Sequence, residues 1–198
     1  MKLRIEPFRR IQERGFTLVE TLVAISFLSV AIVAPMTLVS LSLAGAVQAR
    51  DTITAYNLAQ EGIEAVRAIR DGSIIHNARL SQTGTPRDIL ADIPPDRDFT
   101  VDATKPTAAE AFTECSGDCP RLQVDVNDPG LYAYGFCGED CETKFTRTLR
   151  ASFVHGSDEN EIKLVSTVTW ETNTGRPRSF VITANLYRWV NDGSAQAQ

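Results

Sequence analysis

Between Thr21 and Ala49 the chain carries no charged side chain, and reading back to Phe16 adds only Glu20. A helix needs about 20 apolar residues to cross a bilayer, so Phe16 to roughly Val39 suffices. In front of this run stand Lys2, Arg4, Arg9, Arg10 and Arg14 against Glu6 and Glu13, a local excess of three positives. Basic residues beside a span hold that end on the cytoplasmic side, so everything after about residue 45 is expected outside. The chain is therefore built for two solvents.

Composition narrows the function classes. With 198 residues and 43% apolar content there is enough for one globular unit plus an extended element. Taking a +3 leader from a net charge of -5 leaves about -8 on the remainder, which argues against broad electrostatic binding of nucleic acid. The sequence has no P-loop, no glycine-rich dinucleotide fingerprint and no Gly-x-Ser-x-Gly elbow. His76 and His155 read as solitary histidines in polar loops. Asp125-Val126-Asn127-Asp128-Pro129-Gly130 partly resembles a calcium loop, but Pro129 stands where an oxygen donor is needed. The acidic pairs Glu139-Asp140 and Asp158-Glu159 read as solvated turns. No enzyme activity, cofactor or metal is expected.

Four cysteines, Cys115, Cys119, Cys137 and Cys141, form two Cys-x3-Cys pairs with 17 residues between them. That spacing would suit a four-thiolate zinc site. An oxidising compartment turns an even count into disulfides, with three possible connectivities. The topology places these thiols outside the reducing cytosol, which favours disulfides.

Three readings compete for the N-terminal segment. A secretory signal has an apolar stretch of about 7 to 15 residues and a small-x-small cleavage site. Ala44-Gly45-Ala46 and Val47-Gln48-Ala49 offer such sites, but the apolar run is about twice that length. A plain single-pass anchor leaves Glu20 unexplained, because a carboxylate at the bilayer centre costs at least about 2.5 kcal/mol. A glutamate snorkelling to the headgroups from the helix start is the bland account of it.

The third reading explains the carboxylate. The stretch Arg14-Gly15-Phe16-Thr17-Leu18-Val19-Glu20-Thr21-Leu22-Val23-Ala24 resembles the processing signature of type IV prepilins: a basic leader ending in Gly, then Phe, three mostly apolar residues, and Glu. The resemblance implies cleavage after Gly15 by a prepilin peptidase and methyltransferase, N-methylation of Phe16, and pairing of Glu20 with the terminal amine of a neighbouring subunit. Paired charges tolerate hydrocarbon better than single ones. Its implied partners are other pilin or pseudopilin subunits, an inner-membrane assembly platform and membrane lipid. The implied location is the bacterial cytoplasmic membrane, N-terminus inside, and then an extracytoplasmic pilus or pseudopilus.

Beyond the membrane, Ala49, Ile53, Tyr56, Ala59, Ile63, Val66 and Ile69 recur at helical steps, opposite Arg50, Thr54, Asn57, Glu61 and Glu64. Arg67, Arg70 and Gly72 predict the helix end near Asp71, giving about 80 Å of helix from Phe16. A kink or melted turn is expected at Pro35. Ser26, Ser29, Thr37, Ser40 and Ser42 read as hydroxyls bonded back to helix carbonyls. Gly62 has no evident reason.

Residues 72–121 read as an irregular connection broken by Pro86, Pro94, Pro95, Pro106 and Pro120, with one short strand at 98–102. Alternation at 122–126, a turn at Asp128-Pro129-Gly130 and an aromatic run at 131–136 follow. Longer strands are expected at 145–155, 161–171 and 179–189, with a polar turn at 156–160 and a loop at 172–177. Short connections favour antiparallel pairing. The expected fold is α+β, a pilin fold whose long N-terminal helix packs its amphipathic half on a C-terminal antiparallel sheet. Its expected parts are leader 1–15, membrane or filament-core half 16–44, amphipathic half 45–71, connection 72–121, sheet 122–190 and polar tail 191–198.

Resemblance extends more thinly along the chain. Leu122-Gln123-Val124-Asp125, Tyr132-Ala133-Tyr134, Thr143-Lys144-Phe145-Thr146-Arg147 and Leu186-Tyr187-Arg188-Trp189 are similar to minor pilins of the pilus-modification type. Asn57-Leu58-Ala59-Gln60-Glu61-Gly62-Ile63-Glu64 is similar both to these and to minor pseudopilins of type II secretion. A low-abundance assembly role is what this resemblance implies. The competing function is a secreted or membrane-anchored binding protein or enzyme behind an ordinary signal segment.

Overall fold

A computed structural model describes residues 15–79, 88–125, 128, 130–135, 141–155 and 158–188. The leader charges, Pro86, Asn127, Pro129, Cys137, Glu139-Asp140, Trp189 and the tail lie outside these residues. The chain divides into two compact units after Val47.

The first described element, helix α1 (Leu18–Arg79), starts two residues after Phe16. Thr17 caps it: the Glu20 backbone N–H donates to Thr17 Oγ1 at 3.3 Å. With the side chain at the cap and a glutamate three positions on, Thr17-Leu18-Val19-Glu20 has the pattern of a capping box. The helix runs unbroken through Pro35, so no melted turn separates its halves. In hydrocarbon a melted turn would strand backbone groups that water cannot satisfy. Ser26, Ser29, Thr37 and Ser40 bond back to carbonyls three or four residues earlier.

The far end of α1 differs from expectation. Gly72 is helical, and α1 continues to Arg79 because Ile74 still finds apolar packing and Ser73 Oγ bonds Ile69 O at 3.3 Å. His76 accordingly sits in the last helical turn, not in a loop.

Residues 72–121 are also more ordered than expected. Besides the end of α1 they hold β1 (Asp98–Val101), the short helix α2 (Ala108–Ala111) and β2 (Phe112–Glu114). Then follow β3 (Arg121–Val124), β4 (Tyr132–Ala133), β5 (Glu142–His155), β6 (Asp158–Glu171) and β7 (Pro177–Tyr187). The aromatic run 131–136 thus yields only two strand residues, after a turn in which Leu131 N–H bonds Asp128 O at 2.9 Å. Strand pairing resumes at His155 and Asp158, so the polar turn expected at 156–160 is shorter. His155 ends β5.

Among the described residues one antiparallel sheet of seven strands results. Fourteen-residue β5 is its centre. One side of β5 pairs with β6, which pairs with β7; the other side is shared by β3 near Thr146 and β1 near Leu149. Short connections leave antiparallel pairing as the accessible geometry. Ile162, Leu164, Ser166, Val168 and Trp170 of β6 face the core, as alternation requires.

Two apolar clusters fill the space between sheet and helix. One joins Ile63 and Val66 to Ile89, Leu90, Phe99, Val101, Leu149 and Leu164; the other joins Ala55, Leu58 and Ala59 to Leu122, Phe145, Val168 and Trp170. The buried stripe of α1 is Asp51, Ala55, Leu58, Ala59, Gly62, Ile63 and Val66; Ala59, Ile63 and Val66 lie on the expected face, and N-terminal to them the stripe is rotated from Ile53 and Tyr56 to Ala55 and Leu58. Ile53 is 62% exposed and Tyr56 45%. Small residues decide the rotation, since alanines and a glycine let the helix approach the sheet more closely than a row of isoleucine and tyrosine would.

Candidate functional site

The first candidate region is the start of α1. Gly15 and Phe16 precede the helix in non-helical backbone, and Phe16 is 78% exposed. A Cβ added at Gly15 would meet nothing within 4 Å, so nothing in the described packing calls for glycine there. Glu20 lies in the first helical turn and is exposed. A carboxylate is favoured there by the unpaired N–H groups and the positive end of the helix dipole. Thr17 is the residue that sequence reading missed here, although the Thr-x-x-Glu spacing carries the signal.

From this start the helix is apolar all round. Phe16, Leu18, Val19, Leu22, Ile25, Phe27, Leu28, Val30 and onward to Leu43 are exposed. The helix is long and apolar enough to cross a membrane, and none of its most apolar window is buried within the chain. A helix exposing hydrophobic residues on every side needs an apolar solvent or apolar neighbours.

The second region is where the helix meets the sheet. Arg147 of β5 points between the two apolar clusters and is completely buried. Its Nη1 donates to Leu58 O at 3.1 Å and its Nη2 to Val101 O at 2.6 Å, while Glu61 Oε2 lies 3.5 Å from Nη1. Gly62 makes room for this crossing: a Cβ there would sit 3.0 Å from Arg147 Cδ and 3.3 Å from Ser166 Oγ. The glycine that had no evident reason is the notch for the arginine. Further along the helix, Asp51 is buried and pairs with Lys144 Nζ at 2.6 Å. No sequence pattern marks Arg147 as buried, because alternation alone does not tell a charged core position from a register error.

Burial pushes the Glu61 carboxyl above its ordinary value of 4.5, with Arg147 opposing the rise and Asp102 adding to it. Burial likewise raises the Tyr134 phenol, again against Arg147. A carboxyl whose folded pKa exceeds its unfolded one holds its proton more tightly when folded, so its contribution is full below pH 4.5 and is lost as pH rises through the folded value. The expected result is a smaller loss of thermal stability from pH 4.5 to 7 in Glu61→Gln than in the parent, measured on the full chain in detergent. Identical slopes would mean the carboxyl is not desolvated.

The cysteines are placed in part. Cys115 and Cys119 form a disulfide across the link from β2 to β3. Cys141 is disulfide-bonded as well. Two thiols joined to each other are not available to a four-thiolate zinc site. The described residues contain no group of three or more potential metal ligands.

In comparisons with known proteins, no family model, no curated protein and no solved structure matches this chain.

Proposed function

We propose that this chain is a type IV pilin-like structural subunit, made as a prepilin, cleaved after Gly15 and methylated on Phe16. Within that class we assign it the role of a minor subunit that assists assembly of a pilus or related pseudopilus, anchored N-terminus inside in a bacterial cytoplasmic membrane. The observation that carries the reading is the Gly15-Phe16 junction and Glu20 at the head of a helix whose apolar surface is exposed on all sides. Such a helix is suited first to lipid and then to packing against equivalent helices. Its continuation covers an antiparallel sheet, the arrangement expected of a pilin.

The minor role rests on charge and on resemblance. About -8 per subunit repeated at close spacing builds repulsion unless neighbours compensate it. Mass spectrometry of sheared filaments tests both steps. A mature chain starting at methyl-Phe16, at a few per cent of the principal subunit or less, is expected. A start at Val47 or Arg50 would overturn the pilin reading in favour of a secreted protein. Dominant abundance would overturn only the minor role.

A further inference from the structure

Among the described residues the sheet is guarded at two of its edges and open at the third. Its outer strands β2 and β4 are three and two residues long, too short to template much pairing. In contrast β7 spans eleven residues, and among the described residues its only strand partner is β6. Its pairing with β6 runs through eleven consecutive residue pairs with no bulge. After Pro177 it contains no Lys, Asp, Glu or Pro, the residues that natural edges use to repel another strand. In an antiparallel ladder alternate N–H and C=O groups of such a strand point away from its one partner.

The surroundings define what would pair there. Val181 is 52% exposed on the solvent face of the edge. On the other face Phe180 meets the exposed ring of Tyr56 on α1 edge-on, centroids 5.6 Å apart. At one end Arg176 and Arg178 are exposed and make no ion pair among the described residues, unlike Arg97, Arg150 and Arg188. An incoming strand with apolar or β-branched side chains and a carboxylate at that end would complete all three features.

We propose that the β7 edge accepts an extended segment of a neighbouring membrane-anchored subunit, acidic where it passes Arg176 and Arg178; the identity of that neighbour rests on the filament reading above. A second copy paired through the same edge is disfavoured, because β7 contains no Asp or Glu to meet those arginines.

Amide hydrogen exchange across 178–187 tests this, comparing the full chain in membranes of producing cells with the same chain purified alone in detergent. Exchange at alternate β7 amides is expected to be at least about tenfold slower in membranes. Val181→Lys with Thr183→Lys, both on the solvent face, should abolish that difference without lowering the melting temperature of the purified chain. Equal exchange of the parent in both preparations overturns the proposal whether or not the variant folds. A photoreactive phenylalanine at 181 identifies the occupant: crosslinks to an acidic extended stretch of another anchored subunit support it, and crosslinks to this chain's own tail or to a second copy overturn it. A mature N-terminus other than Phe16 would remove the filament reading while leaving the exchange result to decide the edge.

Discussion

Glu20→Ala is expected to be cleaved after Gly15 like the parent, yet to enter filaments at least about tenfold less well beside wild-type neighbours. An unpaired charge in hydrocarbon costs about 2.5 kcal/mol or more, and each 1.4 kcal/mol is about tenfold in an equilibrium. On the proposed pairing, removing the carboxylate would leave a neighbour's terminal amine in that position. The capping role of Thr17 provides the control. Because the Glu20 backbone N–H is held by Thr17 Oγ1, the alanine variant keeps that bond, and helix formation in detergent should be unchanged by circular dichroism. Gly15→Phe is expected to behave oppositely: nothing among the described residues resists a side chain there, so the chain should fold, but the leader should stay on. Wild-type assembly by Glu20→Ala would remove the pairing role.

Arg147→Ala should destabilise the second unit by about 3 kcal/mol or more, since it removes two packed methylenes and the guanidinium and leaves Leu58 O and Val101 O without their donors. For a unit of this size that corresponds to a fall of roughly 6 to 12 °C in melting temperature. Trp170 fluorescence can follow it, because the indole is buried in one of the two clusters. Arg147→Met also removes the guanidinium but refills much of the space it leaves, so it should lose markedly less. Gly62→Ala should fall between them, because Arg147 Cδ would have to give way by several tenths of an ångström. Equal losses for alanine and methionine would show that the hydrogen bonds, not the packing, dominate.

The sequence made the large elements legible where one period persisted over many residues. The uncharged run and the strands near 145–155 and 161–171 belong to that class, and their boundaries move by only a few residues in the structure. Other parts depended on partners distant in sequence. Ile89, Leu90 and Ile93 lie between prolines and acids with no periodicity of their own, yet they are buried because α1, β1 and β5 enclose them. The helix face agrees at Ala59, Ile63 and Val66 and differs before them for a related reason: hydropathy ranks Ile53 and Tyr56 above Ala55, but close approach to a sheet rewards small residues. At the candidate processing site the expectation rests on one contiguous run, Arg14 to Ala24. The Arg147 clasp has no such run, since its acceptors are 89 and 46 residues away.

The notch at Gly62 also fixes position along an axis. Sliding the sheet by one helical turn, about 5.4 Å, would bring the Cβ of Leu58 or Val66 to the place where Arg147 now crosses. Neither leaves room for it, so the sheet is indexed to one turn of α1 as a key is to a single ward. Lys144 and Asp51 hold the same index roughly two to three turns closer to the N-terminal end of the helix. A pull along α1 would therefore load these contacts together in shear, with no neighbouring register into which the sheet could creep, and the helix–sheet packing would yield abruptly instead of sliding.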